Sequence, residues 1–269
     1  DHEIINNRIY GQGAGTTRGI EFGYNVNNMT IRNNDIAHWV SGIYLNPSAN
    51  TTIADNNFHN NGSSIGSDGI SNTTITGNTF VNNDEGFGVS EAGQNIAVHL
   101  NRIVGNDVGV SQYSGLRVNA ENNWWGCNEA PGGDGCDTTQ GDVDTNPWLT
   151  LTIAATPSTV APGGTAEVAA SLTTNSAGAD TSSQGTVPDG TPVEFAVTGA
   201  GASIAPTQAG TSDGKASATL TAGSSTGTAT VSATVDEETA STTVTVAVAT
   251  PTATPGTPTA TPGTPTATP

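Results

Sequence analysis

Acidic residues are the first candidates for chemistry in this sequence, because hydrolysis of a sugar chain needs two or three closely placed carboxylates. The candidate groups are Asp35 with Asp55, and Asp84 with Glu85 and Glu91. Elimination at a uronic acid needs acids that hold Ca²⁺ beside an Arg or Lys that acts as the base. No lysine precedes Lys215, and the arginines are scattered along the chain. We therefore expect no catalytic residue, with a polysaccharide-active enzyme as the alternative.

Residues that bind metal ions show no clear clustering. The histidines at positions 2, 38, 59 and 99 fall at unrelated points of the repeat described below, so they are not expected to converge on a metal. Asp142-x-Asp144-x-Asn146 resembles the opening of a calcium-binding loop, but the glycine and the distal glutamate of that loop are missing. An Asx-rich turn is the favoured interpretation, and Ca²⁺ at Asp142 and Asp144 is the alternative.

The two cysteines, Cys127 and Cys136, lie in one glycine-rich loop. In an oxidising compartment such a pair forms a disulfide bond. A zinc site is the alternative, but no histidine or further cysteine lies nearby in the sequence to complete a tetrahedral set. The loop therefore predicts a disulfide and an extracellular location.

The charge balance excludes two classes of partner. The formal net charge is −18, with 6 Lys and Arg against 24 Asp and Glu. Nucleic acids and anionic membrane surfaces both need clustered cations, which this sequence lacks. No apolar run approaches the roughly 20 residues of a transmembrane helix. We expect no nucleic-acid partner and no membrane insertion within this sequence.

A repeat of about 22 residues organises the first half of the chain. Each copy has an apolar residue, an asparagine three positions later, and a second apolar residue two positions after that. The asparagines are Asn7, Asn34, Asn56, Asn78, Asn101 and Asn123. A second apolar motif, usually preceded by glycine as in Gly42-Ile43 and Gly86-Phe87, recurs at the same interval. Two motifs in step, without helical periodicity, predict a parallel β-helix of about six coils.

The repeated asparagines are interpreted as a structural ladder. An inward amide can bond both its own turn and the equivalent asparagine one coil away, and asparagine tolerates the left-handed backbone that such turns need. A ligand-binding ladder is the disfavoured alternative. The residue after each ladder asparagine points outward, so Arg8 and Asp35 are expected to form an ion pair across neighbouring coils.

The end of the repeat strengthens this interpretation. Asn122-Asn-Trp-Trp-Gly126, the cysteine loop and Asp142–Leu149 follow the last copy. Together with the repeat, they resemble the right-handed, pectate-lyase-like parallel β-helices of bacterial surface and polysaccharide-processing proteins. The resemblance covers residues 1–149. We expect Trp124, Trp125 and Trp148 to cover the open end of the apolar column, with an aromatic sugar platform as the alternative.

Aromatic residues near the second apolar motif are the candidate ligand contacts. A β-helix presents flat faces rich in Asn, Ser and Thr, which suit extended glycans. Trp39, Tyr44 and Tyr113 lie in or near this motif, where their rings could stack on sugars. We expect polysaccharides or cell-surface glycans as partners of this face.

From residue 150 to residue 249 the composition changes to Ala, Thr and Val in period-2 alternation. Turn signals occur at Pro162-Gly-Gly, Pro188-Asp-Gly and Ser212-Asp-Gly, which predicts a β-sandwich. The order of these motifs resembles the bacterial immunoglobulin-like (Ig-like) domains of invasins and intimins. That resemblance implies a spacer in an adhesive stalk.

Residues 250–269 repeat Pro-Thr-Ala-Thr-Pro-Gly-Thr and predict an extended, disordered Thr/Pro-rich linker. Asp1-His-Glu lacks the features of a signal peptide and the repeat is already running at Ile4, so we expect the protein to continue at both ends. Taken together, the sequence predicts a secreted, cell-surface structural or adhesive protein of the all-β class.

Overall fold

The computed structural model describes residues 2–12, 17–91 and 93–248, and these residues form strands and turns without a helix. The predicted linker, residues 250–269, lies outside the described residues. The strands of the first part are β1 (His2–Ile5), β2 (Arg8–Tyr10), β3 (Arg18–Phe22), β4 (Met29–Arg32), β5 (Asp35–Ala37), β6 (Ser41–Leu45), β7 (Thr52–Ala54), β8 (Asn57–His59), β9 (Ser63–Ser67), β10 (Ser71–Thr76), β11 (Thr79–Val81), β12 (Glu85–Val89), β13 (Gln94–His99), β14 (Arg102–Val104), β15 (Val108–Gln112), β16 (Val118–Asn119), β17 (Thr139–Gln140) and β18 (Val143–Asp144).

These strands form a β-solenoid of about six turns, as the repeat predicted. Its sheets are sheet 1 (β1, β4, β7, β10, β13, β16, β18), sheet 2 (β2, β5, β8, β11, β14) and sheet 3 (β3, β6, β9, β12, β15, β17). All pairings are parallel, and like residues stack on like: Ile31 pairs with Ile53, which pairs with Ile75. The stacked apolar side chains form one buried core inside the coils.

The glycine before the second apolar motif is explained by close approach between coils. A Cβ atom added to Gly42 would lie 2.8 Å from the carbonyl oxygen of Ser64 in the next coil. The same addition at Gly86 would collide with the carbonyl oxygen of Gly109. Glycine therefore fits the close approach of these two strands to their neighbours, whereas the equivalent position of the coil between them accepts Ser64.

The predicted asparagines stack along the turn between sheets 1 and 2. The Asn56 side chain accepts bonds from the backbone N–H and from Nδ2 of Asn34, both at 2.9 Å, and its Nδ2 donates to Asn78 Oδ1 at 3.0 Å. The same pattern joins Asn78 to Asn101. The left-handed backbone conformation lies one residue earlier than expected, as at Asp55, where φ is 55°. The ladder asparagine supplies the side-chain amide, and the residue before it adopts the left-handed backbone that turns the chain.

A second asparagine ladder, which was not predicted from the sequence, runs along the turn between sheets 2 and 3. Asn61 accepts from the backbone N–H of Trp39 at 3.1 Å and donates to Asn83 Oδ1 at 3.1 Å. Asn83 donates in turn to Asn106 at 2.8 Å, and Asn106 Nδ2 donates to Asp137 at 2.6 Å. The second ladder therefore ends on the carboxylate of Asp137, the residue directly after the cysteine loop. Burial raises the pKa of Asp137 to about 6, although the hydrogen bonds from Asn106 oppose the shift.

Asp137 is expected to make the stability of the solenoid pH-dependent. Its folded pKa of about 6 exceeds the ordinary value of 3.8, so the unfolded chain loses this proton at a lower pH than the folded protein does. Stability should therefore fall as the pH rises from about 4 to about 6, by roughly 3 kcal/mol, and stay lower above that. Asp137→Asn should make this slope shallower in urea unfolding between pH 4 and pH 8 and stabilise the protein at pH 8. Asp134→Asn, an exposed carboxylate of the cysteine loop, is the control; an unchanged slope in Asp137→Asn would contradict the assignment.

Residues 149–246 form a second domain of two sheets. Its strands are β19 (Leu149–Thr156), β20 (Thr159–Val160), β21 (Thr165–Asn175), β22 (Pro192–Thr198), β23 (Ser203–Ala205), β24 (Gln208–Gly210), β25 (Lys215–Thr221), β26 (Gly227–Val235) and β27 (Glu238–Val246). Sheet 4 has the order β19-β21-β25-β23 and sheet 5 the order β20-β27-β26-β22-β24. Val168 and Leu220 of sheet 4 share one buried core with Val231 and Val244 of sheet 5. The predicted β-sandwich is thus present, and its relationship to invasin-type domains stays a prediction.

The cysteine loop and the tryptophans join the two domains. Cys127 and Cys136 form the predicted disulfide. Trp125 is fully buried in the solenoid core and Trp148 packs against that core, whereas Trp124 is fully buried in the core of the second domain. Because Trp124 and Trp125 have no exposed face, neither is a sugar platform.

Candidate functional site

The most developed surface site is a groove on the outer face of sheet 3. It is an open cavity of about 440 Å³, and we call it the sheet 3 groove. Its lining residues are Thr17, Arg18, Val40, Ser41, Tyr44, Ser63, Gly66, Ser67, Glu85, Gly88, Ser90 and Tyr113. The register of the strands places two glycines in the floor of the groove. Tyr44 pairs with Gly66 and Gly66 pairs with Gly88 on successive coils. The two glycines make room for neighbouring side chains, because the Tyr44 ring lies over Gly66 and the Glu85 carboxylate lies over Gly88.

Tyr113 forms the free aromatic wall of the sheet 3 groove. It is 56% exposed, and its hydroxyl donates to Glu85 Oε1 at 3.0 Å. The Glu85 carboxylate lies against Gly88 and also accepts from Ser63 at 3.0 Å and from Ser111. Three hydroxyl groups thus fix one carboxylate beside one exposed ring.

Tyr44 lies at the other end of the groove and is more enclosed. Its ring packs against Gly66, and the guanidinium carbon of Arg18 lies 3.7 Å from the ring centroid. Its hydroxyl donates to Asp68 Oδ2 at 2.5 Å, and this hydrogen bond, followed by burial, raises the pKa of Tyr44. Arg18 also forms an ion pair with Glu21. Because Arg18 covers one face of the ring and the sheet the other, Tyr44 is a wall of the groove rather than a platform.

Trp39, the third predicted glycan contact, lies outside the sheet 3 groove. Its indole Nε1 donates to the carbonyl oxygen of Ile9 at 3.0 Å, and its ring packs against the solenoid core. Sequence proximity to the second apolar motif could not show that this ring turns inward. We therefore remove Trp39 from the candidate site.

A second polar cluster, on the outer face of sheet 2, corrects the interpretation of the histidines. The rings of Tyr10, His38 and His59 form T-shaped pairs, with centroids 6.0–6.2 Å apart. Asp35 anchors the cluster: it accepts from Tyr10, and one of its oxygens lies 3.1 Å from His59 Nε2. The expected ion pair across coils is present, with Arg8 Nε 3.6 Å from Asp35. His38 and His59 were expected to lie apart; stacking of the coils brings them together.

The remaining predicted acids are dispersed. Asp55 faces a cleft of about 900 Å³ between the solenoid and the loop around Asp189, where burial raises its pKa. Asp84 and Glu91 are exposed to solvent. Asp144, one of the two calcium candidates, lies 2.5 Å from Arg117. Within residues 2–12, 17–91 and 93–248, no three His, Cys, Asp or Glu side chains are grouped to hold a metal ion.

One family model matches the solenoid. Residues 1–131 match NosD, which is described as a periplasmic copper-binding protein. The matched segment is a little under half of the 269 residues and ends inside the cysteine loop. No curated protein matches the chain. The part of the chain that the structure describes contains no helix long and apolar enough to cross a membrane.

Several solved structures match part of the chain. A glycosyl hydrolase family 2 protein from Bacteroides cellulosilyticus is 18% identical, covering 39% of this chain and 15% of that one, with a TM-score of 0.33. The D00-D0 domain of intimin is 21% identical, covering 40% and 54%, with a TM-score of 0.29. The adhesin InvE of Yersinia pseudotuberculosis is 18% identical, covering 42% and 36%, with a TM-score of 0.29. The chain spans less than two thirds of each of these proteins, and similarity at this level does not bear on its activity.

Proposed function

We propose that this chain is part of a cell-surface protein whose solenoid binds an extended glycan in the sheet 3 groove. The observation that carries the proposal is the exposed ring of Tyr113 beside a fixed Glu85 carboxylate in an open groove. A sugar can lay its apolar face on the ring while its hydroxyl groups bond the polar wall. The groove crosses several coils, which suits a chain of sugars better than a single one.

Two features support an extracellular or periplasmic location and a structural role. The disulfide between Cys127 and Cys136 is of a kind that persists in oxidising compartments. The matched family is described as periplasmic. We infer that the second domain, joined to the solenoid by buried contacts, is a rigid spacer that holds the groove at a fixed orientation.

A copper site, which the name of the matched family suggests, does not fit the side chains of the described residues. Soft ligands for copper are cysteine and methionine, and imidazole is the other common one. Both cysteines are in the disulfide, and Met29 is 1% exposed inside the core. The nitrogens of His59 already face Asp35 and Asn60, at 3.1 and 2.9 Å. No three His, Cys, Asp or Glu side chains are grouped to hold a metal ion within the described residues, so we assign no copper site there.

Hydrolysis in the groove is also disfavoured by geometry. Glu85 accepts hydrogen bonds from Ser63, Ser111 and Tyr113, and Asp68 accepts from Tyr44 and Ser90. Both carboxylates act as acceptors in this network, whereas a glycoside hydrolase needs one carboxyl group that donates a proton. The groove is built to hold a ligand.

Tyr113→Ala is expected to weaken glycan binding about tenfold or more, because it removes the stacking surface and frees Glu85. The measurement is calorimetric titration with neutral, amino and acidic hexasaccharides. Tyr10→Ala, which removes a partly exposed tyrosine from sheet 2, is the matched control and should bind as the wild type does. The proposal fails if the wild type binds none of the hexasaccharides at millimolar concentration, or if both variants lose affinity equally.

A further inference from the structure

The hydroxyl groups of the sheet 3 groove are turned toward the protein. Apart from Thr17, each lining hydroxyl donates its proton to an acceptor of the chain itself. The bonds are Ser41 to the Ile43 carbonyl, Tyr44 to Asp68, Ser63 to Glu85, Ser67 to the Gly88 carbonyl, Ser90 to Asp68 and Tyr113 to Glu85. A hydroxyl has one proton and two lone pairs, so these groups present lone pairs to a ligand. The wall of the groove is therefore rich in acceptors.

Two fixed carboxylates add to this excess of acceptors. Glu85 is held from three sides, by Ser63, Ser111 and Tyr113, and lies over the glycine floor. Asp68 is held by Tyr44 and Ser90 at the adjoining edge. Each keeps lone pairs beyond those used by its partners, because a carboxylate has about four acceptor positions. Both carboxylates are preorganised, so a cation that binds them need not order them first.

The cation that lines the groove, Arg18, already has a counter-ion. Arg18 forms an ion pair with Glu21 and is stacked on the ring of Tyr44. A ligand carboxylate entering the groove would meet Glu85, with Asp68 at the edge, and one lining cation whose charge Glu21 already balances. Like charges brought together in a partly desolvated groove repel one another.

From this excess of hydrogen-bond acceptors and negative charge, we infer that the sheet 3 groove selects sugar chains that carry free amino groups and rejects polyuronates. The inference rests on the proposed glycan binding and names the ligand class for the same site. An ammonium group has three donors and no acceptor, which complements this surface. It would bond the Glu85 carboxylate through charge-assisted hydrogen bonds, which are stronger than those between neutral groups.

Three hexasaccharides test the selection: β-1,4-linked glucosamine, its N-acetylated counterpart, and oligogalacturonate. The first two share a backbone and differ in the amino group. Calorimetric titration should show the glucosamine hexamer binding about tenfold or more tighter than the N-acetylated one, and oligogalacturonate weakest. Glu85→Gln should reduce the affinity for the glucosamine hexamer about tenfold and change that for the N-acetylated hexamer less than about twofold.

A control variant separates this site from the general attraction of an acidic protein for a cation. Glu91→Gln removes the same charge at an exposed position outside the groove, and should leave both affinities unchanged. Asp68→Asn, which removes the carboxylate at the edge of the groove, should also weaken binding of the glucosamine hexamer, and melting temperatures are compared for all three variants. Equal losses in Glu85→Gln and Glu91→Gln, or equal affinity for both glucosamine-based hexamers, would overturn the inference and leave glycan binding standing. Absence of binding to every hexamer would overturn both.

Discussion

Asn56→Ala should destabilise the solenoid by about 3–5 kcal/mol, because the ladder amide is buried and fully bonded. Asn56 is 2% exposed. Its side chain accepts two hydrogen bonds from Asn34, and its Nδ2 donates to the carbonyl oxygens of Ile31 and Ala54 and to Asn78 Oδ1. Alanine would leave these groups without partners where water has little access. Urea unfolding at constant pH measures the change as a lower midpoint with an unchanged m-value.

Asn57→Ala is the matched control for this experiment. Asn57 is the next residue in the chain, is exposed, and makes a hydrogen bond at 3.0 Å to Asp35. Its removal should cost less than about 1 kcal/mol, since water can replace the amide. Similar losses in the two variants would show that the ladder contributes no more than an ordinary surface asparagine.

The parts of the fold that could be predicted are those that repeat. A coil places the same residue type at the same position every 22 or so residues, so the spacing of Ile31, Ile53 and Ile75 is enough to indicate one inward column, which the pairing of their strands confirms. The second ladder carried a comparable signal: Asn61, Asn83 and Asn106 each follow a first-ladder asparagine by five residues. The second ladder was missed because three asparagines at a regular interval do not stand out in an asparagine-rich sequence. Only the pairing of strands on neighbouring coils shows that they stack.

The candidate site was only partly predictable, because side-chain direction depends on contacts between coils. Tyr44 and Tyr113 were singled out from their type, but the stacking of Arg18 on Tyr44 depends on the register of β3 against β6. Trp39 is also an aromatic residue near the second apolar motif, but its ring packs against the solenoid core. His38 follows β5 with a left-handed φ of 66°, a local bend that periodicity does not encode.

Contacts between the two domains have no periodic signal in the sequence. The ion pair of Arg102 with Asp236 is one such contact. Arg102 and Asp236 are 134 residues apart in sequence and form an ion pair in which the side chains are 13% and 7% exposed. Asp236 Oδ2 also accepts from Trp124 Nε1 at 2.8 Å. Asp236→Asn should destabilise the protein by about 3–5 kcal/mol, because it leaves the charge of Arg102 buried without a counter-ion. Asparagine tolerates the left-handed backbone at this position, where φ is 55°, so the effect is one of charge.

Two further variants decide whether that loss belongs to the ion pair. Asp213→Asn alters another aspartate with a positive φ, of 50°, but at an exposed position of the second domain, and should change the free energy of unfolding by less than about 0.5 kcal/mol. The double variant Arg102→Met with Asp236→Asn removes both charges and should recover most of the stability, since an apolar side chain at the junction has no charge to compensate. Calorimetry on all the variants gives the comparison. If the double variant is as unstable as Asp236→Asn alone, the loss arises from the bond to Trp124, and the pair contributes little to holding the domains together.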